Sequence, residues 1–195
     1  MNIVERVKKL LLSPTAEWGV IKTETHTVAG LYTHYVMILA AIPAVANFIG
    51  WSIVGYSGFG TMTYRIPLAA GVATMVLNYL LTLGSVYLLA LIIDMQAPNF
   101  GGERDFIQAL KVAAFFPTAA WLAGIFFILP ALTILALVGA LYSLWLLYTG
   151  LGQLMGVAEE RSAGYVTIVV VAAIVLMVFI GAIAGLAMPS RSRGF

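Results

Sequence analysis

Four long stretches of this chain carry no charged side chain, and they decide what it can fold into. The stretches are residues 25–64, 66–93, 112–158 and 162–190, with lengths of 40, 28, 47 and 29 residues. A helix that crosses the hydrocarbon layer of a membrane, about 30 Å thick, needs about 20 mainly apolar residues. Each stretch is therefore long enough for one crossing, and the third is long enough for two.

The composition excludes a soluble fold. Of the 195 residues, 62% are hydrophobic and only 9% are charged, whereas soluble domains carry about 25% charged residues. No Pro/Gly/Ser-rich linker divides the chain, so we predict one domain. The predicted fold class is all-α: a polytopic integral membrane bundle of five transmembrane helices, preceded by short amphipathic interfacial helices.

Turn signals set the boundaries of the five spans. Segment 56–64 is rich in glycine and hydroxyl side chains and segment 94–105 is polar, so both are predicted to be loops. Pro130 divides the third uncharged stretch into two parts, each long enough for a crossing at 1.5 Å per residue. We favour a tight hairpin at Pro130 over one long kinked helix. The predicted parts are an N-terminal segment 1–31, spans at 32–55, 66–93, 106–129, 131–150 and 165–188, and a tail 189–195.

Two short helices are predicted ahead of the first span, with a flexible tail as the alternative. In residues 2–12 the apolar side chains fall on one helical face and the charged ones on the other. Eleven residues cannot span, so we expect this helix to lie on anionic lipid in the headgroup region. Ser13 and Pro14 suit the start of a second helix, with Trp18 at the membrane interface. The side chains expected to be exposed on it are Lys22 and Glu24.

The distribution of positive residues predicts the orientation. Five crossings place the termini on opposite sides of the membrane. The N-terminal side carries four Lys or Arg residues in 1–31, two around 94–111 and one at Arg161. The other side carries three, at Arg65, Arg191 and Arg193. Because positive residues accumulate in the cytoplasm, we predict that the N-terminus and both polar loops are cytoplasmic and that the C-terminus is on the opposite side.

Small and polar residues within the spans indicate how the helices pack. In the second span they follow one seam with heptad spacing, and small residues allow helices to approach closely in lipid. Gly181 and Gly185 form a GxxxG pair, for which we favour packing within the chain over a dimer contact. Asn47 and Asn78 are expected to hydrogen-bond across helices; lining a polar path is the alternative. The residues assigned to this packing or path are Asn47, Asn78, Thr82 and Ser85.

The polar loop 94–105 holds the other candidate site. Asp94 ends a helix, where a carboxylate meets the negative end of the dipole, so it calls for a cation. Arg104 and Lys111 are the two candidates, and Lys111, two turns into the third span, must snorkel or pair. We favour a structural tie over a partner site, and we expect Gly102 to cap the third span. The loop motif comprises Asp94, Pro98, Phe100, Gly101, Gly102, Arg104 and Lys111.

No catalytic, cofactor or metal motif is recognisable. The chain has no cysteine, which excludes disulfides and thiolate sites. His26 and His34 lack a third ligand nearby in the sequence, and the sequence contains no G-x-S-x-G, HExxH or P-loop motif. The net charge of +2 is too small to indicate nucleic acid. We predict neither an enzyme nor a cofactor.

Three motifs resemble the bacterial branch of the Yip (Ypt-interacting protein) family. They are the start at residues 6–14 with Trp18, the loop 94–102 followed by 108–111, and the segment 141–156. The resemblance covers nearly the whole chain and implies a five-helix domain with a cytoplasmic N-terminus. Eukaryotic members of that family are associated with Rab-type GTPases, vesicle traffic and membrane shaping.

The expected function follows from this resemblance and from the lack of an enzymatic motif. We expect a non-enzymatic protein of the bacterial inner membrane that organises membrane or protein partners. The alternative is a small transporter or channel with a polar path between the first two spans, which a hydrated cavity would favour. The partners considered are the bilayer, anionic lipid at the N-terminal helix, and a second copy or another membrane protein, but not nucleic acid.

Overall fold

The computed structural model describes residues 2–57 and 63–187, and it confirms the five-helix bundle. Five helical segments are long and apolar enough to cross a membrane. Helical structure continues past the uncharged stretches at several ends, because a helix does not have to stop where the hydrocarbon does. The predicted end of the fifth span at Met188 and the tail 189–195 lie outside the described residues. The five spans are Val28–Val54, Leu68–Phe100, Phe106–Ile128, Ala131–Leu154 and Glu159–Gly185.

Two helices precede the first span and form the N-terminal hairpin: α1, Ile3–Leu12, and α2, Pro14–Thr23. Leu10 of α1 is fully buried in the bundle core, and Ile3, Val7 and Leu11 pack against that core, whereas Val4 is exposed. Trp18 of α2 is likewise fully buried against the other helices. Ser13 stands at the start of α2, but its side chain makes no capping hydrogen bond.

The first span is a helix with two wider turns. It runs through α3, Val28–Leu31, a π-helical turn, α4, Met37–Phe48, and a second π-helical stretch, Ile49–Val54. Pro43 inside α4 lies against Gly124 of the third span, where a side chain on the glycine would come within 2.6 Å of the proline ring. The predicted loop 56–64 contains a short antiparallel pair, β1, Tyr56–Ser57, and β2, Thr63–Tyr64; residues 58–62 lie outside the described part.

The second and third spans pack side by side. The second consists of α5, Leu68–Gln96, and a 3-10 turn, Ala97–Phe100. The third consists of α6, Phe106–Phe115, α7, Thr118–Ala123, and a 3-10 stretch, Gly124–Ile128. Pro117 interrupts the third span because it donates no backbone hydrogen bond. The Oγ of Ser143 in the fourth span accepts from the Ala120 amide at 3.0 Å, which satisfies a backbone group at this break.

The chain reverses at Leu129, whose backbone is extended (φ −112°, ψ 103°). A 3-10 stretch, Pro130–Leu135, then leads into α8, Ala136–Leu154, which packs back along α7. Gly139 of α8 lies against the Ala119 carbonyl, and a side chain there would overlap it. The structure therefore has the hairpin at Pro130 and not the long kinked helix.

The fifth span is α9, Glu159–Ala187, and only its first half is well buried. Tyr165 and Val169 are fully buried against the other helices. Gly181 and Gly185 are exposed, and among the described residues no atom of another helix lies within 4 Å of where their Cβ atoms would be. Packing of this pair within the chain is therefore not found among the described residues, and a contact between two copies stays a prediction.

Candidate functional site

A buried arginine holds the N-terminal hairpin together. The Arg6 side chain is 3% exposed and pairs with the carboxylates of Glu17 and Glu24. Glu17 is itself only 7% exposed, and the Arg6 guanidinium carbon lies 5.9 Å from the ring centre of Phe115 in α6. The predicted place of Arg6 opposite the apolar face is therefore wrong, because Arg6 lies one turn before the buried Leu10 and on the same face of α1. Glu24, predicted to be exposed, is half-buried.

The surroundings of the Glu24 carboxyl favour its ionised form. Burial acts most strongly on this group and by itself would raise its pKa. Hydrogen bonds from Arg6 and His26 and the positive charge of Arg6 act in the opposite direction, and together they hold the pKa of Glu24 below its ordinary value. The ionised carboxylate is therefore the stable form in the folded protein at neutral pH.

Lys111 caps the end of α2. Its Nζ donates to the backbone carbonyls of Ile21 at 2.9 Å and Glu24 at 2.7 Å, with a longer contact to Lys22 at 3.3 Å. The last carbonyls of a helix have no partner within the helix, and a cation at this end also meets the negative end of the dipole. Lys111 is thus used to dock the N-terminal hairpin on the third span.

Asp94 is paired with the other candidate cation. Its Oδ2 accepts from Arg104 Nη2 at 2.9 Å and from Arg104 Nε at 3.2 Å. The Asp94 side chain is 9% exposed, whereas that of Arg104 is 61% exposed. The pair therefore ties the end of α5 to the segment before α6 while leaving the guanidinium accessible.

The cap of the third span is Asp105 and not Gly102. The Asp105 Oδ1 accepts from the Gln108 amide at 3.0 Å, which is the usual side-chain bond at a helix start. The Gly102 amide donates instead to the Ala97 carbonyl at 2.9 Å. A Cβ at Gly102 would come within 2.8 Å of Val157, so the glycine is needed for close contact with the next loop.

The two polar loops form one continuous surface. The Glu103 amide donates to the Met155 carbonyl at 3.2 Å. The rings of Phe100 and Tyr165 are stacked with centres 5.0 Å apart, and the Tyr165 hydroxyl donates to the Ile93 carbonyl. We call residues 94–105 together with residues 155–161, the short loop before α9 and the first residues of that helix, the loop platform. Its exposed charged residues are Glu103, Arg104, Asp105, Glu159, Glu160 and Arg161.

Within the spans, a cavity of about 440 Å³ lies between α4 and α5. Three of the four predicted polar residues line it: Asn47, Asn78 and Thr82. Ser85 does not line it, and its hydroxyl donates to the Thr82 carbonyl of its own helix at 2.8 Å. Within the part of the chain that the structure describes, the side-chain amides of Asn47 and Asn78 make no hydrogen bond. The expected bond across helices is therefore not found.

Sequence reasoning missed the groups that dock the N-terminal hairpin. Arg6 looks like one of several surface cations in the sequence, and its distinguishing contacts are with residues 11 and 18 positions away. One signal was available: Lys111 is an isolated cation inside a span, and such a residue requires a buried partner. The sequence did not indicate that the partners would be backbone carbonyls 87 to 90 residues earlier.

Comparison with known proteins gives one family. The family model described as the Yip1 domain matches residues 8–180, a range that contains α2, the loop platform and the cavity. Inner membrane protein YohC of Escherichia coli (strain K12) is 29% identical over 160 residues, which cover 80% of this chain and 82% of that protein. The protein of the same name from Escherichia coli O6:H1 gives the same figures. No solved structure matches the chain significantly.

Proposed function

We propose that this chain, which belongs to the Yip1 domain family, is a non-enzymatic protein of the inner membrane that holds a protein partner at the loop platform. One observation carries the proposal. Two connecting segments about 50 residues apart are held in one surface by a backbone hydrogen bond between them and by the stacking of Phe100 on Tyr165 of α9, and six of their charged side chains are exposed. Loops of a membrane bundle need only connect helices, so a surface that is both ordered and charged is suited to recognition.

The ordering of this surface supports recognition because it lowers the cost of binding. A partner that meets a rigid loop does not have to order it. Phe100 fastens the first loop to α9 by stacking on Tyr165, and the Glu103 amide fastens the first loop to the second by its bond to the Met155 carbonyl. Charged residues of both signs then give specificity through complementary charges on the partner.

The orientation is part of the proposal. Seven Lys and Arg residues on the side of the platform against three on the other favour a cytoplasmic platform. The chain has no native cysteine, so an introduced thiol reports its own side. We expect Asn99→Cys to react with a membrane-impermeant maleimide only after cells are opened, and Arg65→Cys to react in intact spheroplasts. The reverse pattern would contradict a cytoplasmic platform.

Anionic lipid is the second partner that we propose. On α1 the exposed side chains Val4, Lys8 and Leu12 are four residues apart, so they lie on one face. An apolar pair around a lysine suits the boundary between headgroups and acyl chains. This face is distinct from the face of α1 that packs on the bundle core.

The transport alternative has less support. A path between the first two spans needs polar side chains along its whole length, but the cavity lining ends at Thr82. The next turns of α5 bury Val86, Leu89 and Ala90, and this dry packing favours an organising protein over a channel.

In-cell photo-crosslinking tests the proposed function. A photoreactive phenylalanine analogue at Glu103 is expected to give a discrete protein adduct, and the same analogue at lipid-facing Ile174 is not. Charge reversal at Glu159 and Glu160 should remove at least about 80% of the adduct, since lost charge complementarity slows association. The single reversal Glu5→Lys, on α1, serves as the control and should leave the adduct intact.

Two outcomes of the crosslinking are informative beyond its yield. An adduct with twice the mass of the chain identifies the partner as a second copy. Adducts formed only with lipid at Glu103, or an adduct unchanged by the reversal at Glu159 and Glu160, contradict the proposal.

A further inference from the structure

We propose that the cavity between α4 and α5 binds an uncharged amphiphile, a lipid with a hydroxyl or ester head and an acyl chain. The cavity is lined by the second half of the first span and the first half of the second, with one residue each from the third and fifth spans. It therefore lies in the half of the membrane away from the N-terminal hairpin. This site is separate from the loop platform.

Three polar side chains of the cavity lining have no hydrogen-bond partner within residues 2–57 and 63–187. Asn47 and Asn78 come from facing spans, and neither amide is hydrogen-bonded among the described residues. Ser52 also lines the cavity. Its side chain is buried, with 7% of the residue exposed, and its Oγ has no partner in that part of the chain. Hydrocarbon satisfies none of these groups, so a ligand with hydrogen-bonding atoms fits the space between them.

The charge of the lining defines the class of ligand. Among the described residues that line the cavity there is no Asp, Glu, Lys, Arg or His. A charged group placed there would lose its hydration with no counter-charge to replace it, which is costly within a membrane. Amide and hydroxyl side chains both donate and accept hydrogen bonds, so they suit a hydroxyl or an ester carbonyl.

The remaining walls suit an acyl chain. A volume of about 440 Å³ falls in the usual range for a small-molecule pocket, about 300–1,000 Å³. Methionine side chains adapt their shape to an irregular ligand. Asn47 and Trp51 are exposed at the bundle surface, so the cavity opens sideways to lipid. The large apolar lining residues are Phe48, Trp51, Met75, Phe127 and Met177.

The cavity is closed towards the loop platform. The Tyr79 hydroxyl donates to the Met37 carbonyl and the Tyr32 hydroxyl donates to the Leu83 carbonyl, both at 2.9 Å. These two bonds fasten the first span to the second beyond the cavity. A pocket that is open to lipid and closed at its inner end holds a ligand and does not conduct one.

Photolabelling in nanodiscs tests this site. The probe is a diacylglycerol with a diazirine in one acyl chain, and adducts are located by mass spectrometry of peptides. We expect saturable labelling of peptides that contain Trp51 or Met75. The double variant Asn47→Leu with Asn78→Leu should weaken labelling about tenfold, as two lost hydrogen bonds imply. Ala44→Phe, which fills the cavity, should also abolish labelling.

Two controls separate a binding role from a structural one. Ser85→Ala changes a polar residue of the same helix outside the cavity and should leave labelling unchanged. The double leucine variant should unfold at the same temperature as the wild type or higher, because it removes unpaired polar groups. A lower unfolding temperature would mean that the asparagines hold the helices together, and it would overturn the proposal.

A competing lipid with a charged head tests the assignment to an uncharged ligand. Phosphatidic acid with the same photoreactive chain should compete at least about fivefold less well than diacylglycerol, since its phosphate has no cation in the cavity. Equal competition by the two lipids would overturn the assignment to an uncharged head. Labelling spread evenly over lipid-facing peptides such as the one containing Ile174 would overturn the site itself.

Discussion

Replacing Arg6 with methionine is expected to lower the free energy of unfolding by about 3–5 kcal/mol, the usual cost of removing one partner from a buried ion pair. The loss is large because Glu17 stays buried with its charge uncompensated. Glu24 also loses its ion pair with Arg6. The contact of Arg6 with the Phe115 ring is lost as well. Equilibrium unfolding in mixed detergent micelles measures the change.

A second variant separates the charge from the packing. When Arg6→Met is combined with Glu17→Met and Glu24→Gln, no unpaired carboxylate remains, so most of the loss should be recovered. Lys9→Met removes a cation from the exposed pair with Glu5 and should have no measurable effect. If Arg6→Met lowers the free energy of unfolding no more than Lys9→Met does, the ion pairs of Arg6 with Glu17 and Glu24 do not stabilise the hairpin.

The Lys111→Met variant is expected to release the N-terminal hairpin from the third span, at a cost of about 3 kcal/mol, as expected when hydrogen bonds to a charged group are lost. The carbonyls of Ile21 and Glu24 lose their common donor. Methionine keeps nearly the same length, so the effect reports the ammonium group. Hydrogen exchange of α2 is the measurement, with faster exchange expected from Trp18 to Thr23.

Two comparisons make the Lys111 prediction specific. Lys22→Met removes an exposed cation next to the same carbonyls and should leave exchange of α2 unchanged. The double variant Arg6→Met with Lys111→Met should lose less free energy of unfolding than the sum of the two single variants. Both residues fix the same hairpin, and such effects do not add. Additive losses, or fast exchange across all helices, would mean that Lys111 supports the bundle as a whole.

The need of Asp94 for a cation was predictable because the partner lies close to it in the sequence. Asp94 and Arg104 are ten residues apart, and the unfavourable end of a helix indicated that the aspartate needed a cation. The choice between Arg104 and Lys111 required the structure, because both are within reach of the loop. The wrong cap at Gly102 has a similar origin, since its contact with Val157 involves a loop 55 residues away.

The sequence by itself determined the five spans and the reversal at Pro130. Charge is excluded from hydrocarbon wherever it occurs in the chain, so the spacing of charged residues is local information that can be read without knowing any contact. Only the tertiary structure decided which helix faces meet: Arg6 turns inward, Lys111 reaches the end of α2, and Asn47 and Asn78 line a cavity. In lipid both helix faces can be apolar, so hydrophobic patterning does not say which face packs, and close contact between particular residues makes the choice.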